Sequence, residues 1–352
     1  IVGQTPKYDL AMMNSPGDSD RIDGYSIYYN DGGSNIYWKQ DTTITNLGYV
    51  EVGGGNDTNT IAGKITDGTN PKCTNTLSPN FLKKTGTGIV TLNNTNTYTL
   101  HTDIASGTLK INNDSALGTA PGSATPGHLR ISGAGAAFVA AETFTLSANR
   151  GLVLSNWMYW GVADNKTNTY NGVISDGSGS YQIVKNQGGE LILGGNNAYD
   201  NGTYVDNGTL TLTHANAAGT NAIYVGQDAG SFAAALNLGA AIAVGNDLVV
   251  RTESSGIKYL KAAETATLSG ALAINETDDD RFTIDVASGK TLTLSGVASG
   301  DSGGGKITKT GAGTLTLSGT NTHANELQIH AGTVAISASR NLGADPSGAY
   351  AN

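Results

Sequence analysis

Several groupings in the chain could in principle do chemistry, and each is missing something. Gly300-Asp301-Ser302-Gly303-Gly304 would present a serine nucleophile, with Ile1-Val2-Gly3 as a free amino terminus to orient it. Such a serine needs a histidine base and an oriented carboxylate. None of His101, His128, His214, His323 and His330 stands in the motif that accompanies that serine, and the lone Cys73 gives no disulfide framework. Paired carboxylates would suit polysaccharide cleavage, and Glu276-Thr277-Asp278-Asp279-Asp280 beside Arg281 is the dense acidic run; it reads better as a solvated loop. The same oxygens would suit calcium, and Gly53-Gly54-Gly55-Asn56-Asp57 has part of a calcium-binding nonapeptide without its fourth-position glycine. No other cofactor or metal is expected. Two aromatic groups remain, one with Tyr28, Tyr29, Tyr37 and Trp38, the other with Trp157, Tyr159 and Trp160. Exposed, they would stack on glycans or a partner protein; buried, they would be cap and core.

The elements that must carry these residues repeat. Lys84-Thr85-Gly86-Thr87-Gly88-Ile89-Val90-Thr91-Leu92 returns at Lys185-Asn186-Gln187-Gly188-Gly189-Glu190-Leu191-Ile192-Leu193 and at Lys309-Thr310-Gly311-Ala312-Gly313-Thr314-Leu315-Thr316-Leu317. A Gly-Thr step follows each lysine by 23 residues, at Gly107, Gly208 and Gly332, and a second glycine by a further 11, at Gly118, Gly219 and Gly343. Two constant spacings mark a structural repeat. Its apolar residues alternate (Val90/Leu92, Leu191/Leu193, Leu315/Leu317) with Thr or other small residues between, the period of a strand with one buried face. One repeat cannot bury that face alone, whereas stacked coils can. Helical periodicity is nearly absent. The expected fold is all-β, a parallel, right-handed β-helix (β-solenoid) of three repeat modules. A non-repeat cap or assembly segment would occupy 1–60 and the solenoid 61–352, with modules near 61–160, 161–285 and 286–352. In this frame the Gly300–Gly304 stretch occupies the turn that Asp176-Gly177-Ser178-Gly179-Ser180 forms before the second copy.

Composition narrows the functional classes. Charged residues are 14% of the 352, Gly accounts for 49, and the net charge is −9, which argues against nucleic acid, whose binding requires a basic patch. No apolar run is long enough to span a membrane. Low charge with abundant Gly, Thr and Asn fits an exported protein, and a start without Met fits a processed one. Seven Asn-x-Ser/Thr sequons (Asn56, Asn93, Asn113, Asn165, Asn201, Asn207, Asn275) are candidate glycan sites.

The third copy, continued by Ser318-Gly319-Thr320-Asn321-Thr322, closely resembles the autotransporter-associated β-strand repeat of bacterial surface proteins. Tyr98 and Tyr199 hold the repeat's tyrosine position, where His323 stands in the third copy, and Gly172-Val173-Ile174 and Gly296-Val297-Ala298 are similar to its preceding coil. The resemblance implies an extracellular or cell-surface, non-enzymatic segment. After Asn341-Leu342-Gly343 a further coil would be expected, but the sequence ends at Asn352. The expectation is therefore a homopolymer joined head to tail through its ends as a fibre. The alternatives are a cleaved passenger acting as a monomeric adhesin for glycans or matrix and, last, a polysaccharide-active β-helix enzyme.

Overall fold

The computed structural model describes residues 81–99, 101–227, 230–252, 254–276, 281–300 and 305–344, and, before them, the strands Tyr25–Ile27, Ile44–Thr45, Tyr49–Val52, Thr58–Ile61 and Ile65–Thr66. Among these residues the strands form parallel sheets stacked as a β-solenoid. The longest sheet has 11 strands, from Thr58–Ile61 to Ala298–Gly300, and sheets of nine, seven, five and two strands make up the rest. The strands Tyr25–Ile27 and Tyr49–Val52 pair in parallel with each other, and the latter with Phe81–Lys84. The seven-stranded sheet thus runs back into 1–60, the segment expected to be a cap or assembly segment.

The alternating residues do what their period requires. In Ile89–Leu92, Glu190–Leu193 and Thr314–Leu317 burial alternates, with Val90/Leu92, Leu191/Leu193 and Leu315/Leu317 inward. The inward ladders merge into one continuous core, where each fully buried Leu is worth about 1.5–3 kcal/mol of apolar transfer.

Each repeat is a short coil. Leu92 lies beside Ile111, Leu193 beside Leu212 and Leu317 beside Ile336, nineteen residues on in every case (111−92, 212−193, 336−317). Such a coil has two strands, and a tight turn closes it: the 3-10 helices Asp114–Leu117 and Ser339–Leu342 in the first and third copies, and a turn at 215–218 in the second. Coils outside the repeats are longer, as where Leu212 pairs with Leu238 and Leu238 with Ala262.

The three copies do not lie over one another. The first puts its strands on the seven- and 11-stranded sheets, the second on the 11- and nine-stranded sheets, and the third on the nine- and five-stranded sheets. Each copy is displaced by one face, because the coils between copies do not return the chain to the same phase.

Candidate functional site

The recurrent polar chemistry is a lysine in a cage of carbonyls. Lys84, Lys185 and Lys309 are fully buried. Lys84 Nζ donates to the carbonyls of Thr85, Gly86 and Ser106 at 2.6, 2.8 and 3.0 Å. Lys185 does the same to Asn186, Gln187 and Asn207 at 3.1, 2.8 and 2.9 Å. Lys309 donates to Thr310, Gly311 and Ala331. Burial pushes Lys84 down to about 8 and Lys185 down to about 7. The cage opposes this, since an ammonium supplies a hydrogen to all three carbonyls and a neutral amine cannot.

The two fixed glycines complete the corner. Gly107, Gly208 and Gly332 have φ of 63°, 74° and 78°, and a Cβ there would lie 2.3–2.4 Å from the Gly86, Gly189 or Gly313 oxygen. Only glycine fits a left-handed position so close to backbone. A Cβ at Gly118, Gly219 or Gly343 would lie 2.2–2.4 Å from the carbonyl oxygen of Tyr98, Tyr199 or His323. The phenols of Tyr98 and Tyr199 bond to Thr102 and Thr203 Oγ1 at 2.8 and 2.5 Å. Asn96 and Asn197, buried, each donate to a turn carbonyl, Ala116 or Ala217, at 2.6 Å, and Asn321 donates to the Asn341 carbonyl. The repeated residues therefore serve to close the backbone.

The other candidates separate. Trp160, a candidate stacking aromatic if exposed and core if buried, is fully buried and so is no ligand-facing ring: it packs edge-on against Phe138 at 5.4 Å and donates to Asn168 Oδ1 at 3.1 Å. It is core because it points inward in the strand Met158–Val162, two residues on from buried Met158 with half-buried Tyr159 between them. Trp157 is half-buried, edge-on to Tyr159 at 5.1 Å. Tyr28, Tyr29, Tyr37, Trp38, Asn56, Cys73, the glycine run at 53–55 and Asp301–Gly304 lie outside the described residues. Asn93, Asn165, Asn201 and Asn275 are exposed, whereas Asn113 and Asn207 are half-buried and Asn113 Oδ1 accepts from Ala116 N and Ser115 Oγ. The acidic run is not all solvated loop: Glu276 is buried against buried Lys258 in an ion pair, because an inward lysine at that corner needs a counter-charge. Among the described residues no three His, Cys, Asp or Glu side chains come together as a metal set, and no helix is long and apolar enough to cross a membrane.

Three clusters went unread in the sequence. Arg150, fully buried, holds Asp114 at 2.8 Å. On the outer face of the 11-stranded sheet, Tyr204 stacks on Tyr224 (4.4 Å, 10°), Arg251 lies over the Tyr204 ring, and Arg251 pairs with Asp206 at 3.8 Å. Their 20-residue spacing, one short coil, was the available signal for the tyrosines. Asp200 N–H donates to Asp176 Oδ2 at 2.9 Å, and Asp176 is pushed up to about 6, first by burial, with the Asp200 carboxyl beside it adding to the rise.

Comparison with known proteins agrees with this geometry. The passenger-associated-transport-repeat family model matches residues 82–111, 183–217 and 307–336, so the chain carries three copies of that repeat. It is 29% identical over 171 residues, 48% of its length, to the adhesin BmaC autotransporter of Brucella suis biovar 1 (strain 1330), and spans 4% of that protein. No solved structure matches.

Proposed function

We propose that the chain is a non-catalytic segment of an exported bacterial surface passenger, a rigid rod that presents its outer sheets to the surroundings. The observation that carries this is the repeat corner, whose lysine, asparagine and glycines all serve backbone closure. The relative's description as an adhesin supports adhesion to glycans or matrix as the activity of the larger assembly. Electron microscopy of the purified 352-residue chain tests the shape. Eleven strands in the longest sheet at about 4.8 Å spacing give a rod of about 50 Å, and a globular particle would reject it. A glycan array then tests the surface, with Trp157, Tyr159, Tyr204 and Tyr224 replaced by Ala in the control. Binding lost in the control supports adhesion through this face.

Head-to-tail assembly into a fibre is the second reading. In the last described coil Ile329, Ile336 and Leu342 are 54%, 44% and 47% exposed, and Glu326–Ile329 and Thr333–Ile336 are edge strands, which template pairing. A further coil of a longer chain would cover the same surface. Filaments on the microscope grid would favour assembly; monodisperse rods at high concentration would end that reading.

A further inference from the structure

The first repeat carries a clasp with a histidine in it. The Arg150 guanidinium binds the Asp114 carboxylate twice, at 2.8 and 3.2 Å, and the carbonyls of Asp114, Leu117 and Gly118 at 3.1, 2.8 and 2.6 Å. It thereby ties the strand Arg150–Leu154 to the turn Asp114–Leu117. His128, 5% exposed, uses both ring nitrogens: Nδ1 is 3.4 Å from Arg150 Nη1 and Nε2 is 3.3 Å from the Thr99 carbonyl. A guanidinium only donates and a carbonyl only accepts. Nε2 therefore carries the hydrogen and Nδ1 accepts.

A second proton on this ring would place an N–H against the guanidinium and a like charge in a buried site. The charged groups acting on His128 are Arg150 and Asp114, with the His101 ring beside it; Arg130 acts on His101 and stands in register with Asp103 on the outer face. The nearby carboxylate, Asp114, is already held by Arg150 and by Ser147 N–H at 2.9 Å. We propose that this corner is an acid-released clasp, in which proton uptake by His128 breaks its bond to Arg150 and loosens the turn Asp114–Leu117.

The electrostatics run the same way. Burial first, and then Arg150, lower the His128 imidazole, against smaller opposing effects of the Thr99 carbonyl and Asp114. Burial, Arg130 and His128 push His101 down to about 4. Groups held neutral in the fold but charged when it opens stabilise it above their ordinary value of about 6.5, and that stability is lost as pH falls from there towards 4.

Hydrogen exchange on the full chain at about pH 7.5 and about pH 4.5, corrected for intrinsic rates, tests this. Protection at 114–119 should fall at least about tenfold in acid, while the strand Gly208–Leu212 of the second repeat keeps its protection. The His128→Gln chain should lose most of the fall. Unchanged protection at 114–119, an equal fall in Gly208–Leu212, or a fall of undiminished size in His128→Gln would overturn the proposal. Should that variant not fold, the imidazole resonances of the unaltered chain decide: His128 titrating at or above about 6.5 rejects it.

Discussion

The first and second repeats share one cage and differ in what holds their turns from outside. Lys84 and Lys185 close equivalent carbonyl sets, and Asn96 and Asn197 make the same bond to the turn. Beyond that, the first turn is gripped by buried Arg150, while Gly219 O in the second accepts from the neutral amide of Asn246 at 3.0 Å. His214 Nδ1 accepts from Asn216 N–H at the rim of the second turn. The repeat therefore supplies its own closure, and the coil that follows it supplies a clasp particular to each copy. A charged clasp is strong and vulnerable to protons; an amide is weaker and does not titrate.

The largest effect should come from breaking the charged clasp. Arg150→Met leaves three carbonyls without their donor and the quarter-exposed Asp114 carboxylate with the Ser147 N–H alone, at a cost of about 3 kcal/mol, the low end for breaking a buried pair. Asn246→Ala, the matching change in the second repeat, should cost about 1 kcal/mol. Urea unfolding of both variants reads the difference directly, and equal losses would erase the distinction between the copies.

The shared part should respond alike. Lys84→Met and Lys185→Met each strip three carbonyls of their donor, at about 1–3 kcal/mol. Thermal melts should place the two variants close together and between the previous pair. A silent variant in one copy would mean that its cage is not the closing device.

The smallest effect lies just outside the second cage, at Asp176 and Asp200. Because Asp176 is raised to about 6, the fold favours its protonated form, so this pair's contribution is greatest in acid and declines as pH rises through about 6. Asp200→Asn removes the like charge and should flatten that decline, as melts at pH 5 and pH 8 would show. The slope is opposite to that of the His128 corner, which makes neighbouring coils respond to acid in opposite senses.

Much of this architecture was legible in the residues. Alternation at Leu191/Leu193 told inside from outside because successive strand residues point to opposite faces. The glycines at 107, 208 and 332 marked places where a side chain cannot fit, and the repeat lysine marked a feature worth repeating, although not its cage. Trp157, Tyr159 and Trp160 could be read either as a surface group or as core, and only the phase of the strand Met158–Val162 settles it, with Trp160 inward and Trp157 and Tyr159 half-buried. Glu276 escaped because an acidic run looks like solvent-exposed loop, and its partner Lys258 is 18 residues away.

What the sequence determined by itself was local: strand, face, turn and the three recurrent corners, each set by residues within one short coil. Only the tertiary structure decided which face each copy occupies and which distant residues meet, as Asp114 meets Arg150 36 positions later. The physical reason is coil length. Contacts between coils depend on how many residues complete each turn of the solenoid, and the loops that set this number carry little pattern of their own.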